Sequence, residues 1–215
     1  MENGYFIALE GPDGSGKTTQ ARLLSAALTS EGYEVVVTRE PGGTPLAENI
    51  RGLLLTVRGY DMLAETEALL FAAARAQHVH EVIAPSVAAG RIVISDRFVD
   101  SSLAYQGGGR GLDMDGLRAV QAFATGGMEP DLRILLDLPV EVGLKRRYAS
   151  TEAINRLDEA GIAFHTTVRD TYLQLVSQRP SAWLVVDACQ EVDILGQEIA
   201  LAVVKRLHSA RSRIS

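Results

Sequence analysis

Gly11-Pro12-Asp13-Gly14-Ser15-Gly16-Lys17-Thr18 sets three glycines, a lysine and a hydroxyl residue in a short run, the pattern of a loop whose backbone N–H groups wrap a phosphate chain. The apolar stretch Tyr5 to Leu9 precedes it, and a helix-patterned stretch from Thr18 to about Ser30 follows. The loop therefore joins a strand to a helix whose positive dipole end faces the same anion. Lys17 is expected to reach the β- and γ-phosphates, the Thr18 hydroxyl to ligate Mg²⁺, and Thr19 to extend the nucleotide contact. Alone, such a loop marks a triphosphate site and not a reaction.

Three further clusters carry chemistry. Thr38-Arg39-Glu40-Pro41-Gly42-Gly43-Thr44 reads as a tight loop from which Arg39 grips phosphate oxygens in a bidentate way; taken by itself it is equally a turn with a solvated arginine. Phe71 and Arg75 are four apart on a helical stretch, so ring and guanidinium share a face that suits a base, although either also serves in a core or a surface ion pair. Asp96-Arg97 ends an apolar run and supplies a carboxylate in support of Mg²⁺ beside a cation. Ser102, Tyr105 and Gln106 then fall on one helical turn, with Asp100 or Ser101 as its N-terminal cap. His78 and His80 are two apart on a helix, a poor spacing for a metal pair, and both read as structural.

The elements that must position these groups follow from apolar periodicity. Strand-type runs at Tyr5 to Glu10, Glu34 to Arg39, Arg91 to Asp96, Leu132 to Leu138 and Trp183 to Asp187 alternate with helical spacing, including a long helical segment from about Ala64 to Val87. Alternation of this kind implies an α/β fold: a doubly wound, five-stranded parallel sheet of P-loop NTPase type, with helices on both faces. Ligands then gather at the C-terminal strand edge, which brings the phosphate loop, Arg39 to Gly43 and Asp96-Arg97 together. Gly107 to Gly109 and Gly126-Gly127 read as loop punctuation.

The 215 residues, 47% of them apolar, fit a single domain spanning 1–215. No apolar run reaches membrane-spanning length and the N-terminus lacks a secretory pattern, so the expectation is a cytoplasmic protein without a membrane partner. A net charge of −6 opposes attraction to nucleic acid. The lone Cys189 reads as a buried small hydrophobe.

Together the motifs resemble thymidylate kinase of the bacterial type, from Phe6 to about Asp187. Besides the phosphate loop, the likeness is carried by Thr38 to Gly43, Glu67-Ala-Leu-Leu-Phe-Ala-Ala-Ala-Arg75, Asp96-Arg97, Ser102 to Gly111, Pro130-Asp131, Glu141 to Leu144 and Asn155 to Asp158. The resemblance implies a homodimeric nucleoside monophosphate kinase moving the γ-phosphoryl of ATP to dTMP, with Mg²⁺, in deoxythymidine triphosphate synthesis. It implies Phe71 stacked on thymine, Arg75 and Gln106 at its polar edge, and Ser101, Ser102 and Tyr105 closing the pocket. Arg39 and Arg97 would hold the acceptor phosphate, with Asp13, Glu40, Pro41 and Arg51 nearby. Gly14 stands where some relatives have an arginine, which directs attention to a lid of about 146–156 with Arg146, Arg147 and Arg156 as alternative catalytic cations. Asn155 and Asp158 depart from the acids that many relatives carry there. Asp187 to Gln190 would border the adenine. A nucleotide switch, a kinase for another monophosphate and a silent binding relative share the phosphate loop; acceptor-dependent ATP consumption separates them.

Overall fold

The computed structural model describes residues 4–55, 61–151 and 154–211. Of the expected lid, residues 152 and 153 lie outside the described residues. Strands and helices alternate as β1 (Tyr5–Glu10), α1 (Lys17–Ser30), β2 (Val35–Arg39), α2 (Pro45–Leu55), α3 (Ala64–His78), α4 (Ala84–Ala88), β3 (Ile92–Asp96), α5 (Val99–Ser102), α6 (Met114–Thr125), β4 (Leu132–Asp137), α7 (Val140–Tyr148), α8 (Ile162–Gln178), β5 (Trp183–Asp187) and α9 (Val192–Arg211). Among the described residues the strands form one five-stranded parallel sheet, in the order β2-β3-β1-β4-β5.

Side-chain alternation explains why both faces are covered. Ile7 and Leu9 of β1 join Ile92 and Ile94 of β3 in one core cluster, closed by Leu24 and Leu28 of α1 and Ile199 and Val203 of α9. Phe6 and Ala8 point to the opposite face, with Val93, Val79, Ile83 and Phe98. Leu135 of β4 faces a third cluster built from Tyr105, Val168 and Tyr172. Fully burying one such leucine or phenylalanine contributes ~1.5–3 kcal/mol, so a strand in the wrong register would lose several such terms at once. In the register formed, Arg39 of β2 and Leu9 of β1 both lie opposite Asp96 of β3. One sheet edge thus carries the phosphate loop, the β2 loop and the Asp96-Arg97 pair.

The long helical run expected from Ala64 to Val87 forms as α3, a π-helical turn at Val79–Ile83 and α4. The wide turn precedes Pro85, whose ring cannot fit over an unmodified preceding turn. Two expectations are corrected. Gly107 to Gly109 do not make a loop: they lie in a second π-helical segment, Leu103–Gly109. A Cβ at Gly108 would stand 2.1 Å from Thr171 Oγ1, and one at Gly109 would stand 2.4 Å from the Phe164 ring, so bare backbone is what lets α8 approach. Cys189 is exposed, in the turn after β5, where its N–H donates to Asp187 at 2.8 Å.

The phosphate loop is braced from the far side by α7. A Cβ on Gly14 (φ 74°) would meet the Gly143 carbonyl oxygen at 2.0 Å, and a Cβ on Gly143 would meet the Asp13 carbonyl oxygen at 2.6 Å. Alanine normally improves a helix position by ~1 kcal/mol over glycine. Gly143→Ala should instead destabilise the fold by about 1–3 kcal/mol, because overpacking against backbone outweighs that gain. Urea unfolding measures the sign; a variant as stable as the parent would show that the loop yields to α7.

Candidate active site

The phosphate loop turns through Gly16 in a left-handed conformation (φ 89°) and enters α1 at Lys17. Lys17 is buried, and its ammonium donates to the carbonyls of Gly11 (3.1 Å) and Pro12 (2.8 Å) and to Ser15 Oγ (3.2 Å). Burial and, next, the charge of Arg97 push its pKa down to about 8. The Thr18 hydroxyl donates to Asp96 Oδ2 at 2.6 Å. That hydroxyl–carboxylate pair suits a hard cation through oxygen alone. No cluster of three His, Cys, Asp or Glu forms a separate metal cage among the described residues, so phosphate oxygens and water would have to complete the shell.

Arg97 is the described non-glycine residue with positive φ, at 75°. A side chain in that region costs of order 1–3 kcal/mol, and here it aims a guanidinium back across the sheet edge. Its Nη1 donates to the Gly11 carbonyl (3.1 Å) and Ser101 Oγ (3.1 Å), and its Nη2 to Asp13 Oδ1 (2.5 Å) and the Tyr105 hydroxyl (3.1 Å). Tyr105 in turn donates to Asp13 Oδ2 at 2.8 Å. Burial alone would raise the Asp13 pKa, but Arg97, Lys17 and the Tyr105 hydroxyl together hold it below the usual carboxylate range. Beneath them lies Glu10, wholly buried, accepting from the Phe98 N–H (2.9 Å), Ser101 Oγ (2.6 Å) and the Tyr172 hydroxyl (3.0 Å). Burial, and then the negative Asp100, lift Glu10 to about 7.

A cavity of about 890 Å³ opens above these groups. Its wall includes Asp13, Gly14, Gly16, Lys17, Thr18, Thr19, Arg39, Glu40, Pro41, Arg51, Phe71, Arg75, Asp96, Arg97, Ser101, Ser102, Tyr105, Gln106, Arg146 and Arg147. Gly11, Pro12 and Ser15 lie behind that wall, holding Lys17. Arg156 is not brought to it: its Nη2 is held by Glu67, with Met62 Sδ at 3.8 Å. Arg147 lines the cavity but is clamped by the buried Asp158, Nε to Oδ1 at 2.9 Å and Nη2 to Oδ2 at 2.7 Å. Arg146 donates to the Ala188 carbonyl at 2.7 Å, which ties α7 to the loop after β5.

Arg75 is also a wall residue, yet it is firmly fixed. Nε donates to Glu40 Oε2 (2.6 Å), Nη1 to Ser102 Oγ (3.0 Å) and to Gln121, and Nη2 to the Phe98 carbonyl (2.9 Å). Glu40 spends its other oxygen on His78 Nδ1 (3.0 Å), whose Nε2 meets Thr38 Oγ1 (2.6 Å), so His78 is the structural residue the spacing suggested. Arg39 pairs with Glu48 at 2.9 Å, both half-exposed, and Glu48 also accepts from the Gly43 N–H at 3.0 Å. The expected cap by Asp100 or Ser101 does not form. The helix starts earlier, with Phe98 at the cap position, so Asp100 and Ser101 lie inside it, where Asp100 pairs with Arg133 at 2.8 Å and Ser101 serves Glu10.

Reading by motif missed Glu10, Glu48, Glu67, Gln121, Asp158 and Tyr172. Glu10, Glu67, Gln121 and Tyr172 pair with residues remote in sequence, Glu48 and Asp158 with arginines nine and eleven residues away, and only Glu67 and Asp158 carried a signal, as the ends of the Glu67 to Arg75 and Asn155 to Asp158 motifs.

A loop shaped for a phosphate chain opens into a cavity walled by Arg39, Arg51, Arg75 and Arg97, and that pairing on a parallel-sheet edge is the design of P-loop kinases acting on small phosphorylated nucleotides. Comparison with known proteins narrows the class: the chain belongs to the thymidylate kinase family, whose model, described as "Thymidylate kinase", matches residues 9–199. It is 51% identical over 207 residues to the thymidylate kinase of Thermomicrobium roseum, covering 96% of this chain and 98% of that one. With the Pseudomonas putida enzyme of the same name it shares 47% over 197 residues, 92% and 93% of the two chains. The crystal structure of thymidylate kinase from Ehrlichia chaffeensis superposes with a TM-score of 0.77 at 33% identity, over 94% of this chain and 99% of that one. No described helix is long and apolar enough to cross a membrane.

The depressed Lys17 has a measurable consequence. Phosphates brought against the ammonium raise its pKa again, so binding of ATP at pH 8, where the γ-phosphate is already ionised, should take up about half a proton. At pH 6, where Lys17 is already charged, that uptake disappears and the γ-phosphate releases its own proton. Calorimetry of ATP binding in buffers of different ionisation enthalpy reads this directly; no uptake at pH 8 would place Lys17 outside the phosphate contact.

Proposed function

We propose that this chain transfers the γ-phosphoryl group of ATP to dTMP, giving dTDP and ADP. The observation that carries the reading is a single cavity whose wall brings together Lys17 of the phosphate loop, Arg39 and Arg97, and Phe71, Arg75 and Gln106. Transfer between two anions through a loose transition state demands charge neutralisation and alignment more than a strong base. Lys17 would stabilise the migrating group, with Arg146 and Arg147 as the cations that the α7 side of the cavity already presents. Arg39 and Arg97 would hold the acceptor phosphate in line. Arg97 suits this best, since Asp13, Ser101 and Tyr105 fix its guanidinium before any substrate arrives. Thr18 and Asp96 would hold Mg²⁺, which when bound offsets charge on the phosphates. Phe71 would stack on thymine.

The test is ADP formation from Mg²⁺-ATP with dTMP, dUMP, dCMP, dAMP or dGMP against a control without acceptor. A rate seen chiefly with dTMP is expected, and Lys17→Ala should lower it by ~10³-fold or more. ATP consumption indifferent to acceptor would sink the kinase reading.

We also infer a homodimer. Helix α3 packs between α2 and α6, and this layer exposes Leu46, Leu53, Leu69 and Phe123, the last 93% exposed. Apolar patches of that kind mark protein contacts. Sedimentation should give a dimer that Phe123→Asp with Leu69→Asp converts to a monomer; a parent chain that sediments as a monomer would remove the inference.

A further inference from the structure

We propose that Glu67 determines which base the acceptor recess takes: it turns the Gln106 carboxamide so that the oxygen, not the NH₂, faces the base, restricting the site to pyrimidines that carry an N3–H. The inference rests on the acceptor reading above and extends it to a residue that never touches the base.

Glu67 lies on α3 with its side chain only 1% exposed. Its Oε1 accepts from Gln106 Nε2 at 2.8 Å and from Arg110 Nε at 3.4 Å; its Oε2 accepts from Arg110 Nη2 at 3.2 Å and from Arg156 Nη2. Burial alone would raise its pKa, but bonds from Gln106 and Arg156 and the charge of Arg110 hold it below the ordinary glutamate value, so it is a carboxylate at neutral pH. A carboxylate only accepts. The flipped amide would set oxygen against oxygen in a buried site, so one orientation is allowed. Gln106 is itself 1% exposed and lines the cavity beside Phe71 and Arg75, and its Oε1 has no protein donor among the described residues.

The recess therefore offers a base edge in fixed polarity: the one Nη2–H of Arg75 that its bonds to Glu40, Ser102, Gln121 and the Phe98 carbonyl leave over, and an acceptor from Gln106. A 4-keto pyrimidine presents the complement, an O4 acceptor and an N3–H donor. A 4-amino pyrimidine presents donor to donor and acceptor to acceptor, the mismatch that buried sites reject most strongly. The two arginines on Glu67 come from different parts of the chain. Arg110 lies over the Phe164 ring, 4.9 Å from its centre, and Arg156 comes from the end of the lid segment; both keep the carboxylate charged and aimed at Gln106.

Glu67→Gln tests this, since a neutral amide both donates and accepts and frees Gln106 to turn over. The ratio of kcat/KM for dTMP to kcat/KM for dCMP should fall by ~10-fold or more, with the dTMP value dropping while dCMP gains or holds. A folded variant in which both values fall equally would reduce Glu67 to a structural part and overturn the proposal. The amide polarity that Glu67 is proposed to impose is tested separately in the unaltered protein, through binding of dTMP, 5-methyl-dCMP and N3-methyl-dTMP without ATP. Both analogues should bind ~10²-fold or more weakly, whereas 5-methyl-dCMP binding as tightly as dTMP would mean the amide faces the other way. Absence of any dTMP-dependent activity in the parent chain would instead overturn the kinase reading and is distinguishable from either result.

Discussion

A single partly buried guanidinium organises the ligand edge of this protein. Arg97 leaves β3 in a left-handed conformation, which redirects its side chain from the sheet toward the phosphate loop. There it meets groups from four other parts of the chain: Gly11 and Asp13 of the loop, Ser101 of α5, Tyr105 of the π-helical segment and the Tyr172 hydroxyl of α8, at 3.4 Å. Removing it would leave the charge of Asp13 and the hydroxyls of two tyrosines facing one another in a low-dielectric site, the costly half of a broken buried pair. The strain at Arg97 persists because five contacts over-determine it.

The same device recurs around the cavity. Arg75 is set by Glu40, Arg133 by Asp100, Arg147 by Asp158 and Arg156 by Glu67, each acid nearly or wholly buried. Such pairs add little net stability over apolar packing. For Arg75 and Arg147, which line the cavity, the use is positional: a cation is held in one geometry before substrate arrives, which lowers the cost of organising it in the transition state, whereas Arg133 and Arg156 lie outside the cavity wall. By contrast Arg39 pairs with a half-exposed Glu48, a weak and exchangeable contact. One arginine is thus built to stay and the other to trade partners.

Strand positions and sheet edge were legible from periodicity, since short apolar runs such as Ile92-Val93-Ile94 and Ile134-Leu135-Leu136 fit strands covered on both faces. The phosphate loop was legible for a local reason too, its glycines, lysine and threonine acting through adjacent backbone. The bracing of that loop by Gly143, the π-helical course of Gly107 to Gly109 and the exposure of Cys189 were not, because each depends on what a distant segment brings to the position.

Sequence alone determined the strand-loop-helix phosphate site, the parallel α/β class and the residues that gather at its edge, because these follow from spacing, propensity and the chemistry of neighbours in the chain. Tertiary structure alone decided which cations face the cavity and which are turned aside: Arg146 and Arg147 line it, while Arg156 is held by Glu67, although all three fall in the same short segment. The physical reason is that a guanidinium goes where its acceptor lies: the Ala188 carbonyl for Arg146, and a carboxylate for Arg147, Arg156 and Arg97. That partner is 89 residues away for Arg156 and 84 for Arg97, a pairing no local pattern encodes.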